Sequence, residues 1–268
     1  MQRWAMGVEY DGSAFHGFQR QRHEPRTVQG ALEAALSFVA DTGTTLVCAG
    51  RTDAGVHATA QVIHFDAGAC RRPDEWLRGV NSRCPPGVAV QWARQVPPHF
   101  SARFSARQRR YTYLLSDAPL PPVIGRTLLS YYRAGLDAAA MQAAALSLVG
   151  EHDFSSFRAA GCQARSPVRQ VTSFTVRRHG HCVIFEVSAN AFLQHMVRNI
   201  VGTLMLVGAG QLPHADVARI LARRDRRAAG PAAAAAGLYL TQVVYDADYG
   251  FAMTPRLPWF LVGQGGLC

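Results

Sequence analysis

The feature that most constrains this chain is how its apolar residues repeat: short stretches of two different periods, interleaved without strict alternation. Arg3–Tyr10, Thr44–Cys48, Ala60–Phe65, Val88–Val96 and Arg110–Leu115 read as strands. After Thr27, a good N-cap, the residues Val28, Leu32, Ala35, Leu36 and Val39 fall on one face of a helix. Pro73 suits the first turn of a second helix running to about Val80. A second series follows. Asp137 caps a helix to Leu148, and Val171–Arg177 and Cys182–Val187 form a hairpin across His179-Gly180. Helices over about Phe192–Val207 and Ala215–Ala222 lead to a last strand, Leu238–Tyr245. Such a mixture favours α+β with antiparallel pairing over a doubly wound parallel sheet. Two halves of similar content suggest an internal duplication.

With 49% hydrophobic residues among 268, whole-chain disorder is excluded, and the length allows one large domain or two small ones. The segment Ser116–Gly125 holds Pro119, Pro121 and Pro122 and is the best candidate for a connection. The expected division is therefore a lobe over 1–116, a Pro-rich connection over 117–136 and a second lobe over 137–268. Ala228–Ala236 is interrupted by Gly230 and Pro231 and reads as a loop. No apolar run reaches the roughly 18 residues of a membrane span. Glu9 and Asp11 arrive too early for a signal peptide, so a cytoplasmic location is expected. None of the six cysteines forms a C-x-x-C pair, so zinc-knuckle spacing is absent and reduced thiols are expected.

Basic residues number 28 against 18 acidic ones, a net charge of +10, and every basic residue is arginine. A chain this basic is expected to meet a polyanion, nucleic acid being the commonest. Arg103, Arg107, Arg109 and Arg110 form one cluster, and Arg223, Arg224, Arg226 and Arg227 another. Each reads either as a solvated face or as a phosphate-binding group.

Gly50-Arg51-Thr52-Asp53-Ala54-Gly55-Val56-His57-Ala58 joins two strand-like runs. Its two glycines permit positive φ and close backbone approach. A carboxylate in so tight a loop is a nucleophile, a general base or a metal ligand, or else it merely bonds nearby N–H groups of the turn. Asp53, His57 and His64 together suggest a metal only weakly, since no second acidic ligand follows.

Gly50–Ala58 resembles the active-site loop of the TruA family of tRNA pseudouridine synthases, and the resemblance extends over nearly the whole chain. It includes Tyr10-Asp11-Gly12 with Phe15, Gly17, Gln19 and Gln21, and Thr27-Val28-Gln29-Gly30. It continues through Phe100, Ala102-Arg103-Phe104-Ser105-Ala106 and Arg110-Tyr111-Thr112-Tyr113. Later come Gly150-Glu151-His152-Asp153-Phe154 with Ser156-Phe157, Ala189-Asn190-Ala191-Phe192-Leu193, His195–Gly202 and Gly237-Leu238-Tyr239-Leu240. The ordered set is specific where no single motif is.

The resemblance implies two α+β lobes of RRM-like topology around a continuous, mostly antiparallel sheet flanked by helices, with the active-site cleft between the lobes. It implies a homodimer holding tRNA, no cofactor and no metal, and conversion of uridine to pseudouridine at positions 38, 39 and 40 of the anticodon stem-loop. Asp53 is then the essential carboxylate, which adds to C6 of the uracil, attacks C1′ or promotes a glycal route. Tyr111 would stack on the flipped uracil and handle the C5 proton. It is preferred to Tyr113, two residues on and on the same face, by the family pattern alone. Arg198 stands in an otherwise apolar run and would pair with Asp53 and keep it charged. Arg51 would contact the RNA, with Arg103, Arg107, Arg109 and Arg110 as further RNA-binding residues. Leu238 or Leu240 would floor the pocket. His57, His152 and Asp153 are expected to be structural, and the tail from Asp246 is expected to dock on the second lobe or a dimer partner. The competing readings are a non-catalytic tRNA-binding or folding protein on the same scaffold, a synthase with other RNA targets, and, more remotely, a metal-dependent hydrolase.

Overall fold

Each apolar pattern settles as the element its period dictates, and the elements gather into two compact units, Met1–Arg109 with the segment from Tyr239 onward, and Arg110–Leu238. The computed structural model describes residues 1–133, 135–251 and 254–261. Among these are ten strands and five α-helices, a mixed α+β fold, and no helix is long and apolar enough to cross a membrane.

The first unit begins with β1 (Gln2–Tyr10), α1 (Val28–Ala40), β2 (Leu46–Cys48), β3 (His57–Ala67), α2 (Pro73–Asn81) and β4 (Val88–Val96). Strand β1 lies between β4 and β3, and β2 pairs with β3. This β-α-β-β-α-β order with spatial order 4-1-3-2 is the ferredoxin-like arrangement. All three pairings are antiparallel. Thr27 caps α1 by accepting from the Gly30 N–H, and Val28, Leu32, Ala35, Leu36 and Val39 are buried as the spacing requires. Trp76 of α2 packs edge-on against Phe65 (5.1 Å) and beside Trp4 (6.0 Å), closing the core over the sheet.

The second unit comprises β5 (Gln108–Ser116), β6 (Ser130–Tyr131), α3 (Ala138–Leu146), β7 (Gly150–Asp153), β8 (Val168–His179), β9 (Cys182–Ala189), α4 (Met196–Gly208) and α5 (Asp216–Arg223). Its strand order is β5-β9-β8-β7, with β6 parallel to β5. The β8–β9 hairpin turns at Gly180, φ +56°, between the paired His179 and Cys182. The last strand, β10 (Leu238–Val244), runs parallel to the start of β3, pairing Tyr239 with His57 and Leu240 with Ala58.

The differences from the sequence expectations have physical causes. The chain divides at 109/110 and 238/239 rather than around a 117–136 connection. That Pro-rich segment belongs to the second unit, because Asp117 and Leu136 at its two ends are tied to β8. Arg178 donates to both Asp117 oxygens (2.6 and 3.0 Å) and to the Leu136 carbonyl (2.5 Å), and Leu136 N–H donates to Asp117 (2.9 Å). The two-residue β6 and four-residue β7 are too short to carry a period. Helix α4 starts at Met196 rather than Phe192, because His195 is left-handed, φ +61°, and the Asn190 side chain bonds the Gln170 and Ala191 N–H groups. The part of the tail that is described, expected on the second lobe or a partner, packs on the first unit instead. Tyr249 and Phe251 contact Phe100 (4.9 and 5.5 Å), and Arg107 grips Asp246 through two nitrogens. Residues 262–268 of that expectation lie outside the described residues.

Asp117→Ala should lower unfolding free energy by about 2–3 kcal/mol in denaturant melts, less than for a fully buried pair because the Arg178 side chain is 35% exposed. The Arg178 guanidinium, aided by Leu136 N–H, holds the Asp117 carboxyl below its usual value of 3.8. The pair's stabilisation is therefore complete above that value and lost as pH falls through the lower, folded one. An Asp117→Asn protein should show a flatter acid limb in melts between pH 5 and pH 2.

Candidate functional site

The segment between β2 and β3 has no ladder of its own, so its backbone groups need partners from side chains and from other loops. Gln61, fully buried on β3, supplies two. Its Nε2 donates to Gly50 O (2.6 Å) and its Oε1 accepts from Gly50 N–H (3.3 Å). Its Nε2 also reaches the Tyr10 hydroxyl (3.4 Å), which bonds Thr52 Oγ1 at 2.8 Å. Phe18 N–H donates to Thr52 O (3.0 Å), and Val56 N–H closes a turn on Asp53 O (3.1 Å).

The 10–17 segment packs against this loop closely enough to demand glycine twice. A Cβ on Gly12 would stand 2.0 Å from Val56 O. Gly17, φ +96°, would place one 3.1 Å from Thr52 O. The motif at Tyr10-Asp11-Gly12 is thus the wall against which the Asp53 loop is moulded. Asp53 itself is half-buried and Arg51 is exposed, so this tightly bonded backbone presents both a carboxylate and a guanidinium.

The histidines beside the loop are committed. His57 is buried, accepts from Gly12 N–H at Nδ1 (3.1 Å) and stacks on Tyr239 at 4.7 Å. His64 Nδ1 accepts from Ala102 N–H (3.0 Å), and burial lowers its pKa, keeping the ring neutral. Among the described residues no three His, Cys, Asp or Glu side chains group as a metal site. The weak metal reading of Asp53, His57 and His64 gains no donor set.

The expected RNA-binding arginines separate by environment. Arg103 is exposed, with its guanidinium 5.2 Å from the Phe104 ring centroid. Arg107 is exposed but paired with Asp246. Arg109 is buried, and its fork donates to Ala49 O (3.0 Å), Arg103 O (2.6 Å) and Ala106 O (3.1 Å), which makes it part of the scaffold. Sequence alone did not distinguish Arg109 from its neighbours. The only available signal was the alternation of β5, which turns Arg109, Tyr111 and Tyr113 to one face.

The other expected residues lie in the second unit. Arg110 Nε donates to Ser188 Oγ (3.0 Å). Tyr111 is buried with its ring edge-on to Phe192 at 5.0 Å. Tyr113 differs sharply: its hydroxyl lies between Ser130 Oγ (2.6 Å) and Ala234 O (2.9 Å), and burial pushes its pKa up to about 12. Arg198, in the first turn of α4, donates from Nε to Ala233 O (2.8 Å). In the late cluster Arg224 faces Asp153, Arg227 pairs with Asp225, and Arg226 binds Gly230 O and Asn199 Oδ1. Of these, Arg226 holds the loop from a part-buried position, while Arg224 and Arg227 make ion pairs yet stay largely exposed. Both candidate floor residues, Leu238 and Leu240, are buried.

A family model described as tRNA pseudouridine synthase matches residues 6–105 and 144–246. The chain is 51% identical to the tRNA pseudouridine synthase A of Aeromonas hydrophila over 97% of its own length and 96% of that protein's. It is 49% identical to that of Idiomarina loihiensis (97% and 99%) and 49% identical to that of a Klebsiella pneumoniae strain (96% and 95%).

Gln61→Ala leaves the Gly50 N–H and carbonyl without their partners in a half-buried setting. It should lower unfolding free energy by about 1–3 kcal/mol, read as a shift in urea midpoint at constant slope.

Proposed function

The chain belongs to the tRNA pseudouridine synthase family, and from that premise we propose that it converts uridine to pseudouridine at positions 38, 39 and 40 of the tRNA anticodon stem-loop, with Asp53 as the essential carboxylate. The enzyme is an isomerase. The C1′–N1 bond of uridine breaks, the uracil turns, and a C1′–C5 bond forms. The C5 proton leaves and N1 gains one, so nothing is added or lost overall. A base stacked in a helix cannot undergo this, so the target nucleotide must swing out into the protein.

The observation that carries the reading is the setting of Asp53. Its carboxylate is half-buried on a loop whose backbone is bonded by Gln61, Tyr10 and Phe18. A group held this way reaches a sugar or base without first ordering its own backbone. The carboxylate then forms a covalent adduct at C1′ or C6, or removes a sugar proton on a glycal route. Arg51, exposed two residues earlier, is suited to fill the space the flipped nucleotide leaves. Tyr111 and Arg198 are proposed in the roles the family resemblance gives them, stacking on uracil with C5 proton handling and counter-charge to the carboxylate. The net charge of +10 favours tRNA as the polyanionic partner. A homodimer working in the cytoplasm without cofactor or metal completes the proposal.

The test is pseudouridine mapping by carbodiimide and reverse-transcription stops on an unmodified tRNA transcript with uridines at 38, 39 and 40. Wild type should give new stops there, and Asp53→Asn should lower the rate at least about a thousandfold while still binding tRNA. Binding without stops by either protein would point to a tRNA-binding protein or another RNA target. Equal stops from both would remove Asp53 from the chemistry.

A further inference from the structure

Two exposed flat groups stand beside the Asp53 loop on a segment that is itself rigid. Phe104 is 80% exposed, and among the described residues no side chain other than Arg103 covers its ring, whereas Arg83 sits 3.5 Å above the centroid of the exposed Phe38. The Arg103 guanidinium lies over the ring, 5.2 Å from its centroid, and has no carboxylate partner among the described residues. A lone exposed phenylalanine on a loose loop would mean little. This loop is not loose. Ser105 N–H donates to Ser101 O (2.9 Å), Ser101 N–H to Ser105 Oγ (3.0 Å), and Phe104 N–H to Ser101 Oγ (3.3 Å). Beneath it, Ala102 is fully buried, its N–H bound by His64 and its carbonyl by the Tyr245 hydroxyl (2.7 Å).

Arg109 connects this segment to the candidate site. A single nitrogen, Nη2, donates both to Arg103 O (2.6 Å) and to Ala49 O (3.0 Å), the residue before Gly50. The root of the Asp53 loop and the Arg103–Phe104 tip are therefore fixed against each other. The Cys48 thiol, raised to about 12 by burial, lies in the fields of Arg51, Arg103 and Arg109. Arg51 and Arg103, which have no carboxylate partner among the described residues, both lie near Cys48 at the end of β2.

We infer that Arg103 and Phe104 form a stacking platform for an unpaired nucleotide of the RNA substrate, held in fixed register with the Asp53 loop by the buried Arg109. A largely exposed aromatic ring with a guanidinium stacked near it suits a nucleobase, and the positive charge suits its phosphate. An aliphatic partner would use only the ring and an acidic one only the charge, whereas a nucleotide uses both. The inference rests on the reading that the substrate is an RNA whose target base leaves its stack.

The experiment measures tRNA affinity by filter binding and single-turnover pseudouridine formation for wild type, Phe104→Ala, Phe104→Leu and Phe104→Tyr, with molecular mass by light scattering. Phe104→Ala and Phe104→Leu should both raise Kd and KM roughly ten- to a hundredfold, the span that losing one base–aromatic stack corresponds to. Phe104→Tyr should stay within about threefold of wild type, since it keeps the π-face. The rate at saturating tRNA should fall far less than the affinity. Unchanged affinity in Phe104→Ala overturns the platform. So does full activity in Phe104→Leu, which would mean apolar packing, and so does a halved mass in Phe104→Ala, which would mean a contact between copies. A wild type that binds tRNA without forming pseudouridine refutes the catalytic reading alone, and the affinity comparison still decides the platform. A wild type that does neither overturns both.

Discussion

The site depends on a debt of hydrogen bonds. Between β2 and β3 the backbone leaves the sheet but stays close to the interior, where an unmade bond to an N–H or carbonyl costs about 1–3 kcal/mol. Gln61 settles the account at Gly50, Phe18 at Thr52, and Arg109 at Ala49. None of these is a reactive group. Their effect is to give Asp53 one position, and the closeness of Gly12 and Gly17 to the same loop follows from that need. A larger residue at Gly12 would push out Val56, and with it the turn that Val56 closes on Asp53.

The arginines show how little a charge count says about location. All 28 basic residues are the same type, yet they serve different ends. Arg178 ties a proline-rich segment to a strand, Arg226 binds carbonyls of the 229–230 loop, and Arg109 is a buried three-way brace. Arginine does this better than lysine, because its planar fork bonds several carbonyls at once without losing its geometry. Arg51 and Arg103, which lack ionic partners among the described residues, are the ones left for a polyanion near Asp53. Net charge therefore indicates the class of partner, and the internal bonds decide which arginines remain to meet it.

Much of the fold was legible along the chain because its cause is local. The Thr27 cap, the buried face of α1, the hairpin at Gly180 and the Asp137 cap rest on periods and on residues within four positions of each other. What escaped was set by distant partners. The start of α4 depends on the left-handed His195 and on the Asn190 side chain, which also bonds Gln170, twenty residues back. The tail packs on the first unit because Phe100, Trp92 and Tyr245 already form an aromatic surface there. No local pattern in the tail points to that surface.

By itself the sequence determined the class of fold, the polyanionic partner and the loop that carries the carboxylate, because periodicity, net charge and an ordered set of motifs are properties of the chain alone. Tertiary structure decided which neighbours of that loop do what. Tyr113 and Arg109 share a strand face with Tyr111, but the hydroxyl of one is fixed by Ser130 and Ala234 and the guanidinium of the other by three carbonyls. Phe104, four residues before the strand β5 begins, is left facing solvent. Burial and hydrogen bonding depend on residues brought together from far apart in the chain, so the role of a side chain that uses them is settled only once the chain has folded.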